Sequence, residues 1–301
     1  MKKALFVGIN YYDTAYRLNG CINDVVNLKN LFVSQMGYTA SNIMTLRDDI
    51  PFPPMQPTRE NILKELSDLV ADSVYCSEIW FCYSGHGSQF PDRNRDESDG
   101  LDEIIVPSDY TTNGFILDDA LNKILQRSKC RTILLFDSCC SASVCDLPWC
   151  YEFKNQFQYN RRLENYSSLG KWTNPLVYMI SGCKDYQLSS EVYNTATCEF
   201  NGQFTAAFIA CVNSIIGKNI SILILYRNIC MLLQQQTSTQ LPTLSSSSSV
   251  PNMNILNTNS PIIIPRSILK TMKDIMTSDK SVNVETRNYS ENRDFRKMIF
   301  L

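Results

Sequence analysis

Two short apolar runs constrain the fold of this chain more than any other feature of the sequence. Residues 79–83 and 132–136 are compact runs of aliphatic and aromatic side chains, and they end at Ser84-Gly85 and at Asp137-Ser138. Runs of this kind are typical of central strands that are buried on both faces. We therefore expect both to lie within a sheet that helices cover on its two sides.

Helical periodicity alternates with strand patterns along most of the chain. Helices are predicted from a cap at Asn23, from a cap at Thr58 and around residues 117–125 and 204–215, and further strands at residues 4–9, 43–46, 104–106 and 177–180. This alternation predicts an α/β fold with a mainly parallel central β-sheet and helices on both faces. From Gln234 the composition becomes polar and periodicity is lost, so we predict one domain over residues 1–246 and a polar linker and tail over 247–301.

Composition excludes several classes of protein. The 28 Lys and Arg nearly balance the 30 Asp and Glu, so we expect no nucleic-acid partner and no attraction to acidic membranes. The apolar start is too short for a signal peptide and the run at residues 220–226 is too short to span a membrane, which predicts a soluble protein of the cytoplasm or nucleus. With 12 cysteines but a single histidine, neither a disulfide framework nor a zinc site is expected.

The single histidine and one cysteine follow the two central strands. His86 lies in the segment Tyr-Ser-Gly-His-Gly-Ser at 83–88, and Cys139 follows Asp137-Ser138. In parallel sheets functional groups gather beyond the carboxyl ends of the strands, so both side chains are expected at one edge. A cysteine nucleophile needs a neighbouring imidazole to take its proton, and the glycines beside His86 let the backbone approach a substrate. The alternatives are a hydrogen-bonded structural histidine and an inert buried thiol.

Four segments in order resemble the metacaspases. Besides the two segments just described, they are Gly-Cys-Ile-Asn-Asp-Val at 20–25 and Ser-Gly-Cys-Lys-Asp-Tyr-Gln at 181–187, and the likeness covers about residues 3–246. The resemblance implies the caspase-hemoglobinase fold, with Cys139 as nucleophile and His86 as general base. Metacaspases usually have His-Ser-Gly after the catalytic cysteine, whereas this chain has Cys140-Ser141-Ala142.

The resemblance also implies a substrate pocket and a metal. Asp24 and Asp137 match the acidic positions that bind Arg or Lys before the scissile bond, since a buried cation must be paired. Calcium-dependent metacaspases place their metal carboxylates at positions that match four acids of this chain, Asp102, Asp118, Asp119 and Asp146. The alternatives are a first-turn helix acid for Asp24, a turn former at a strand end for Asp137, helix caps for Asp118 and Asp119, and a member of an acidic loop for Asp102.

The leading hypothesis is thus a calcium-activated cysteine endopeptidase that cleaves after Arg or Lys. Its partners would be protein or peptide substrates with basic residues, and the family resemblance implies a monomer. Because the chain begins almost at the first predicted strand, we expect no long N-terminal prodomain. One alternative is a non-catalytic caspase-fold module that binds partners or regulates a protease, and another is a calcium-independent enzyme of paracaspase-like or caspase-like specificity. Residues 144–172 are expected to form a polar loop whose basic residues are candidates for self-processing.

Overall fold

A sheet of eight strands runs through the protein in the computed structural model. The structure describes residues 1–91, 101–138, 145–155, 158–163, 170–182, 191–194, 199–215, 219–235, 240–249 and 254–257. In chain order the elements are β1 (Lys2–Gly8), α1 (Cys21–Gln35), β2 (Ile43–Arg47), α2 (Arg59–Asp72), β3 (Glu78–Ser84), β4 (Gly87–Pro91), β5 (Leu101–Ile105), α3 (Tyr110–Asn113), β6 (Ile116–Leu117), α4 (Asp118–Leu125), β7 (Arg131–Asp137), β8 (Trp149–Asn155), β9 (Gln158–Leu163), β10 (Val177–Ser181), β11 (Glu191–Asn194), β12 (Glu199–Gly202), α5 (Gln203–Ser214), β13 (Asn219–Ser221), α6 (Ile222–Gln235), β14 (Thr243–Ser246) and β15 (Asn254–Asn257).

The eight strands of the large sheet stand in the order β2-β1-β3-β7-β10-β14-β8-β9. The first five strands are parallel to their neighbours, whereas β14, β8 and β9 continue the sheet in antiparallel pairs. A smaller sheet, β4-β5-β6, and the pairs β11-β12 and β13-β15 complete the described strands. The prediction of a mainly parallel sheet is confirmed, and the antiparallel half is an addition to it.

Strand β3 illustrates how the sheet builds a core on each face. All seven of its residues are buried, and their side chains alternate between the two faces, as the period of a strand requires. Trp80 and Cys82 join one apolar cluster with α1, α5 and α6, whereas Phe81 and Tyr83 join a second cluster with α2 and α4. The expected helices on both faces are therefore present.

Of the two helix caps predicted from the sequence, one is confirmed and the other is wrong. Thr58 caps α2 as predicted, because its hydroxyl accepts from the backbone N–H of Asn61 at 3.2 Å. The cap predicted at Asn23 is wrong, since α1 begins at Cys21 after Gly20. Asn23 instead donates its side-chain amide to the carbonyl of Phe200 at 2.8 Å, which ties α1 to β12.

The polar half of the chain contains more structure than its composition suggested. The loop expected over residues 144–172 includes β8 and β9, which pair as an antiparallel hairpin. Strand β14 ends at Ser246, the residue at which the domain is predicted to end, and this boundary stays a prediction. After Ser246 the chain forms one further described strand, β15, which pairs with β13. In the part of the chain that the structure describes, no helix is long and apolar enough to cross a membrane.

Gly8 offers a test of how closely α1 packs against the end of β1. A Cβ atom at this position would lie 2.7 Å from the carbonyl oxygen of Cys21 and 2.8 Å from a methyl carbon of Val25. We expect Gly8→Ala to lower the free energy of unfolding by about 2 kcal/mol or more in urea titrations, because the backbone of Cys21 and the side chain of Val25 must both move to make room for the added methyl group. Gly37→Asn is the control: Gly37 has φ 73° with open space around it, a conformation that Asn tolerates. Equal losses in the two variants would contradict the close-packing explanation.

Candidate active site

The carboxyl ends of β3 and β7 lie side by side in the middle of the sheet. The two strands are parallel neighbours whose register pairs Ser84 with Asp137, and the N–H of Gly85 reaches the carbonyl of Asp137 at 3.4 Å. His86 follows β3 by two residues, and Cys139 comes two residues after the end of β7 in the sequence. The structure thus brings both strand ends to one edge of the sheet, as predicted, while Cys139 itself lies outside the described residues.

The backbone on either side of the His86 ring is held by two buried tyrosines. The N–H of His86 donates to the Tyr11 hydroxyl at 2.9 Å, and the Tyr83 hydroxyl donates to the carbonyl of His86 at 2.7 Å. A Cβ atom at Gly85 would lie 2.7 Å from the Tyr83 hydroxyl and 2.9 Å from that of Tyr11. Glycine is therefore required before the histidine so that both phenols can reach the loop.

The His86 imidazole has a defined orientation. Its Nε2 atom lies 2.6 Å from the carbonyl oxygen of Tyr16, and its ring packs against the Tyr11 ring with centroids 4.6 Å apart. Since a carbonyl can only accept, Nε2 carries the proton and the neutral ring keeps its lone pair on Nδ1. Burial lowers the pKa of His86 below its ordinary value of 6.5, and the hydrogen bond to Tyr16 opposes this in part. The ring is accordingly a neutral base at pH 7.

The two predicted pocket carboxylates converge on Gly202. Asp24 accepts from the N–H of Gly202 at 2.8 Å and from the Ser84 hydroxyl at 2.7 Å. Asp137 accepts from both the N–H and the hydroxyl of Thr205, at 2.9 and 2.8 Å. A Cβ atom at Gly202 would come within 3 Å of both carboxylates. Two acids that are far apart in the sequence thus form one buried acidic pair beside the strand ends.

Two of the predicted metal carboxylates, Asp102 and Asp146, lie within electrostatic reach of a third, Asp118. Asp102, Asp118 and Asp146 are all buried, and burial together with the charges of Asp146 and Asp102 raises the pKa of Asp118 from 3.8 to about 8. Asp119 is more exposed and lies 3.7 Å from the Lys123 ammonium. An all-oxygen donor set suits Ca²⁺. Among the described residues, however, no three acidic, cysteine or histidine side chains are grouped closely enough to hold a metal ion, so the fit is one of donor chemistry and not of preformed geometry.

Sequence reasoning missed several residues of the site. The Tyr16 carbonyl is a backbone group and leaves no signal in the sequence, and Tyr11 and Thr205 resemble ordinary core residues. Asp48 accepts backbone N–H groups from the loop that carries Tyr11, although it follows β2 and is remote in the sequence. A carboxylate at the end of a predicted parallel strand was the one signal that could have indicated it.

The sequence of the chain is similar to a known protein family and to several of its members. A family model described as "Metacaspase, peptidase C14 domain" matches residues 2–148. Metacaspase-1 of Plasmodium falciparum is 39% identical and the match covers 69% of this chain, and Metacaspase-1 of Candida albicans is 34% identical over 82% of this chain. The chain spans 34% and 65% of the lengths of these two relatives.

Solved structures with little sequence similarity have the same fold. Caspase-1 from Spodoptera frugiperda matches with a TM-score of 0.54 at 12% identity, over 87% of this chain and 92% of that one. A protein from Geobacter sulfurreducens matches with a TM-score of 0.53 at 21% identity, over 87% of this chain and 96% of that one. These matches show a caspase-like α/β fold, which agrees with the fold predicted from the sequence.

The acidic group around Asp118 predicts a pH-dependent stability in calcium-free buffer. Because folding raises the pKa of Asp118, the folded state favours its neutral form, and the free energy of unfolding falls as pH rises from about 4 to about 8. Asp146→Asn removes a repelling charge and keeps an acceptor for the Asn122 amide, which donates to Asp146 at 3.0 Å. We expect this variant to be more stable at pH 8 by about 1 kcal/mol in denaturant titrations with EDTA, and little changed at pH 4.

Asp119→Asn is the control for this prediction, because Asp119 acts on the pKa of Asp118 through its backbone N–H, which the substitution keeps, and its carboxylate is not among the causes of the shift. It should leave the pH dependence as in the unmodified protein. An equal gain in stability at pH 4 and pH 8 for Asp146→Asn would show that charge repulsion is not the cause.

Proposed function

Because this chain belongs to the metacaspase family, we propose that it is a cysteine endopeptidase that cleaves after Arg or Lys through the Cys139/His86 dyad and is activated by calcium. The observation that carries the proposal is the orientation of His86. Its Nε2 donates to the Tyr16 carbonyl, so Nδ1 carries the lone pair of the neutral ring, and the adjacent parallel strands β3 and β7 end two residues before His86 and Cys139 in the sequence.

The proposed chemistry needs a base that is neutral before reaction. His86 Nδ1 takes the proton of the Cys139 thiol, and the thiolate attacks the carbonyl carbon of the scissile peptide bond. The imidazolium then gives its proton to the leaving amine as the C–N bond breaks, and a water molecule hydrolyses the thioester. Burial lowers the pKa of His86 and so keeps the ring neutral and able to accept a proton before the first step, but it also weakens the base. The Tyr16 carbonyl offsets this because it stabilises the imidazolium that forms.

The acidic pair supports the proposed preference for basic residues. A guanidinium or ammonium group gains charge-assisted hydrogen bonds when two carboxylates face it. Asp24 and Asp137 are both buried, and N–H and hydroxyl donors from Ser84, Gly202 and Thr205 fix their orientation. Carboxylates held in this way lose little side-chain entropy when a cationic side chain binds.

Calcium activation rests on family membership and on the acidic group of Asp102, Asp118 and Asp146, with Asp119 at its edge. A bound Ca²⁺ would supply positive charge that offsets the repulsion among these carboxylates. Asp118 accepts from the backbone N–H of Glu103 at 2.9 Å, so the proposed metal group is linked to β5, which pairs with β4, the strand that follows His86. We also propose that the protein is monomeric and resides in the cytoplasm or nucleus, with basic protein or peptide substrates as its partners.

Hydrolysis of a fluorogenic peptide with Arg before the reporter group tests this function. We expect turnover in millimolar calcium, little turnover in EDTA, and loss of turnover by a factor of about 10³ or more in Cys139→Ala, which has no nucleophile. A peptide with Asp in place of Arg should not be cleaved.

Cys140→Ala is the matched control, because it removes the adjacent thiol and leaves the proposed nucleophile, so it should keep most of the activity. Absence of turnover under every condition would favour a non-catalytic binding module. Turnover that a chelator does not change would remove calcium from the proposal and leave the dyad in place.

Thr205 provides a separate test of the acidic pair. Thr205→Val keeps the shape of the side chain but removes the hydroxyl that donates to Asp137 at 2.8 Å. We expect the KM for the Arg peptide to rise about fivefold with little change in kcat, since the Asp137 carboxylate loses the hydroxyl donor that helps to fix its orientation. Thr205→Ser keeps the hydroxyl and should behave like the unmodified protein. A change in kcat alone would argue against a role in binding the basic side chain.

A further inference from the structure

Asp48 lies directly after β2 and accepts hydrogen bonds from the loop that follows β1. Its carboxylate oxygens accept from the backbone N–H of Asn10 at 3.0 Å and of Tyr11 at 2.6 Å, and the N–H of Tyr12 adds a further hydrogen bond. The side chain is half-buried between the two strand ends. One carboxylate therefore binds consecutive backbone donors at the start of the loop.

The loop that Asp48 binds has an unusual backbone. Tyr11 and Asp13 both have positive φ, at 52° and 64°, although neither is glycine. Each such residue costs roughly 1–2 kcal/mol relative to ordinary backbone conformations, so the surrounding contacts must hold the loop in place. The hydrogen bonds from Asn10, Tyr11 and Tyr12 to Asp48 are contacts of this kind at its start.

The same loop supplies two groups that orient the His86 ring, the side chain of Tyr11 and the backbone carbonyl of Tyr16. The Tyr11 hydroxyl accepts from the N–H of His86, and the Tyr11 ring packs on the imidazole. The hydroxyl of Thr14 then connects Tyr11 to Tyr16, because it donates to the Tyr11 carbonyl at 2.9 Å and accepts from the N–H of Tyr16 at 3.1 Å. Tyr16 in turn presents its carbonyl to Nε2 at 2.6 Å.

We propose that Asp48 is a positioning residue for His86: by fixing the loop over residues 10–16, it holds the Tyr16 carbonyl and the Tyr11 ring against the imidazole. Asp48 does not touch the reacting atoms and acts only through this loop. The consequence for peptide hydrolysis rests on the function proposed above, whereas the orientation of the ring does not depend on it.

The neighbouring residue Asp49 gives a matched control. Its carboxylate pairs with the guanidinium of Arg47, through Nε at 2.9 Å and through a second nitrogen at 2.5 Å, and the residue is exposed. Asp49→Asn changes the net charge by the same amount as Asp48→Asn, one position away, and touches neither Tyr11 nor Tyr16 in the described contacts. Any effect of charge alone should therefore appear in both variants.

The experiment exploits the fact that the chain has one histidine. In protein labelled with ¹⁵N at histidine, the imidazole N–H gives a single signal, which is visible only while a hydrogen bond slows its exchange with water. We expect this signal in the unmodified protein and in Asp49→Asn, together with ring-proton shifts caused by the Tyr11 ring. In Asp48→Asn the N–H signal should broaden or disappear and the ring protons should move toward their free-peptide positions, while the far-ultraviolet circular dichroism stays unchanged.

Activity provides the second readout. For Asp48→Asn we expect kcat to fall about tenfold or more and KM to change less than twofold, since small displacements of a reacting group affect the chemical step first. A preserved imidazole signal in folded Asp48→Asn would overturn the proposal, even if activity were lost. Loss of the signal in a protein that never cleaves peptides would support the positioning role and reject the proposed function, so the two failures are distinguishable.

If Asp48→Asn does not fold, Thr14 takes its place in the test. Thr14→Val breaks the link between Tyr11 and Tyr16 and leaves Asp48 bound, and Thr14→Ser keeps the hydroxyl. Weakening of the imidazole signal in Thr14→Val but not in Thr14→Ser would support the role of the loop, whereas an equal signal in both would overturn it.

Discussion

The parallel pairing of β3 with β7 places Ser84 beside Asp137 at the carboxyl edge of the sheet. In the sequence, the two strands are followed by the segments that contain His86 and Cys139. Every other feature of the site is arranged around this pair of strand ends. Asp137, the last residue of β7, belongs to the acidic pair, and Ser84, the last residue of β3, donates to the other acid, Asp24. The proposed nucleophile, base and substrate pocket therefore all depend on the register of two buried strands, which apolar packing on both faces fixes.

The features that could be predicted from the sequence are those that depend on local patterns of residues. The buried runs at residues 79–83 and 132–136 became β3 and β7, the cap at Thr58 is present, and the mainly parallel sheet with helices on both faces is confirmed. The family resemblance is also confirmed. The roles of the individual dyad, pocket and calcium residues stay predictions, although Asp24 and Asp137 meet at Gly202 and Asp118 lies near Asp146 and Asp102.

The strands and contacts that could not be predicted from the sequence depend on tertiary contacts. A Ser-rich segment forms β14 because it is paired on both sides, by β10 and by β8, so its backbone hydrogen bonds are satisfied whatever its side chains. Residues 144–172 look polar, yet β8 and β9 pair with each other within them. The Tyr16 carbonyl is a backbone group and has no signature in the sequence. Asp48 binds the backbone of Asn10 and Tyr11, and only its place after a predicted strand hints at that contact.

The position of β14 has a consequence for how the chain is made. It is the last strand of the large sheet to leave the ribosome, yet it stands between β10 and β8. The five parallel strands can assemble as soon as β10 has emerged, but the β8–β9 hairpin has no place in the sheet until residues 243–246 arrive. Until that point the edge of β10 stays open in the nascent chain and the β8–β9 segment lies apart from the sheet.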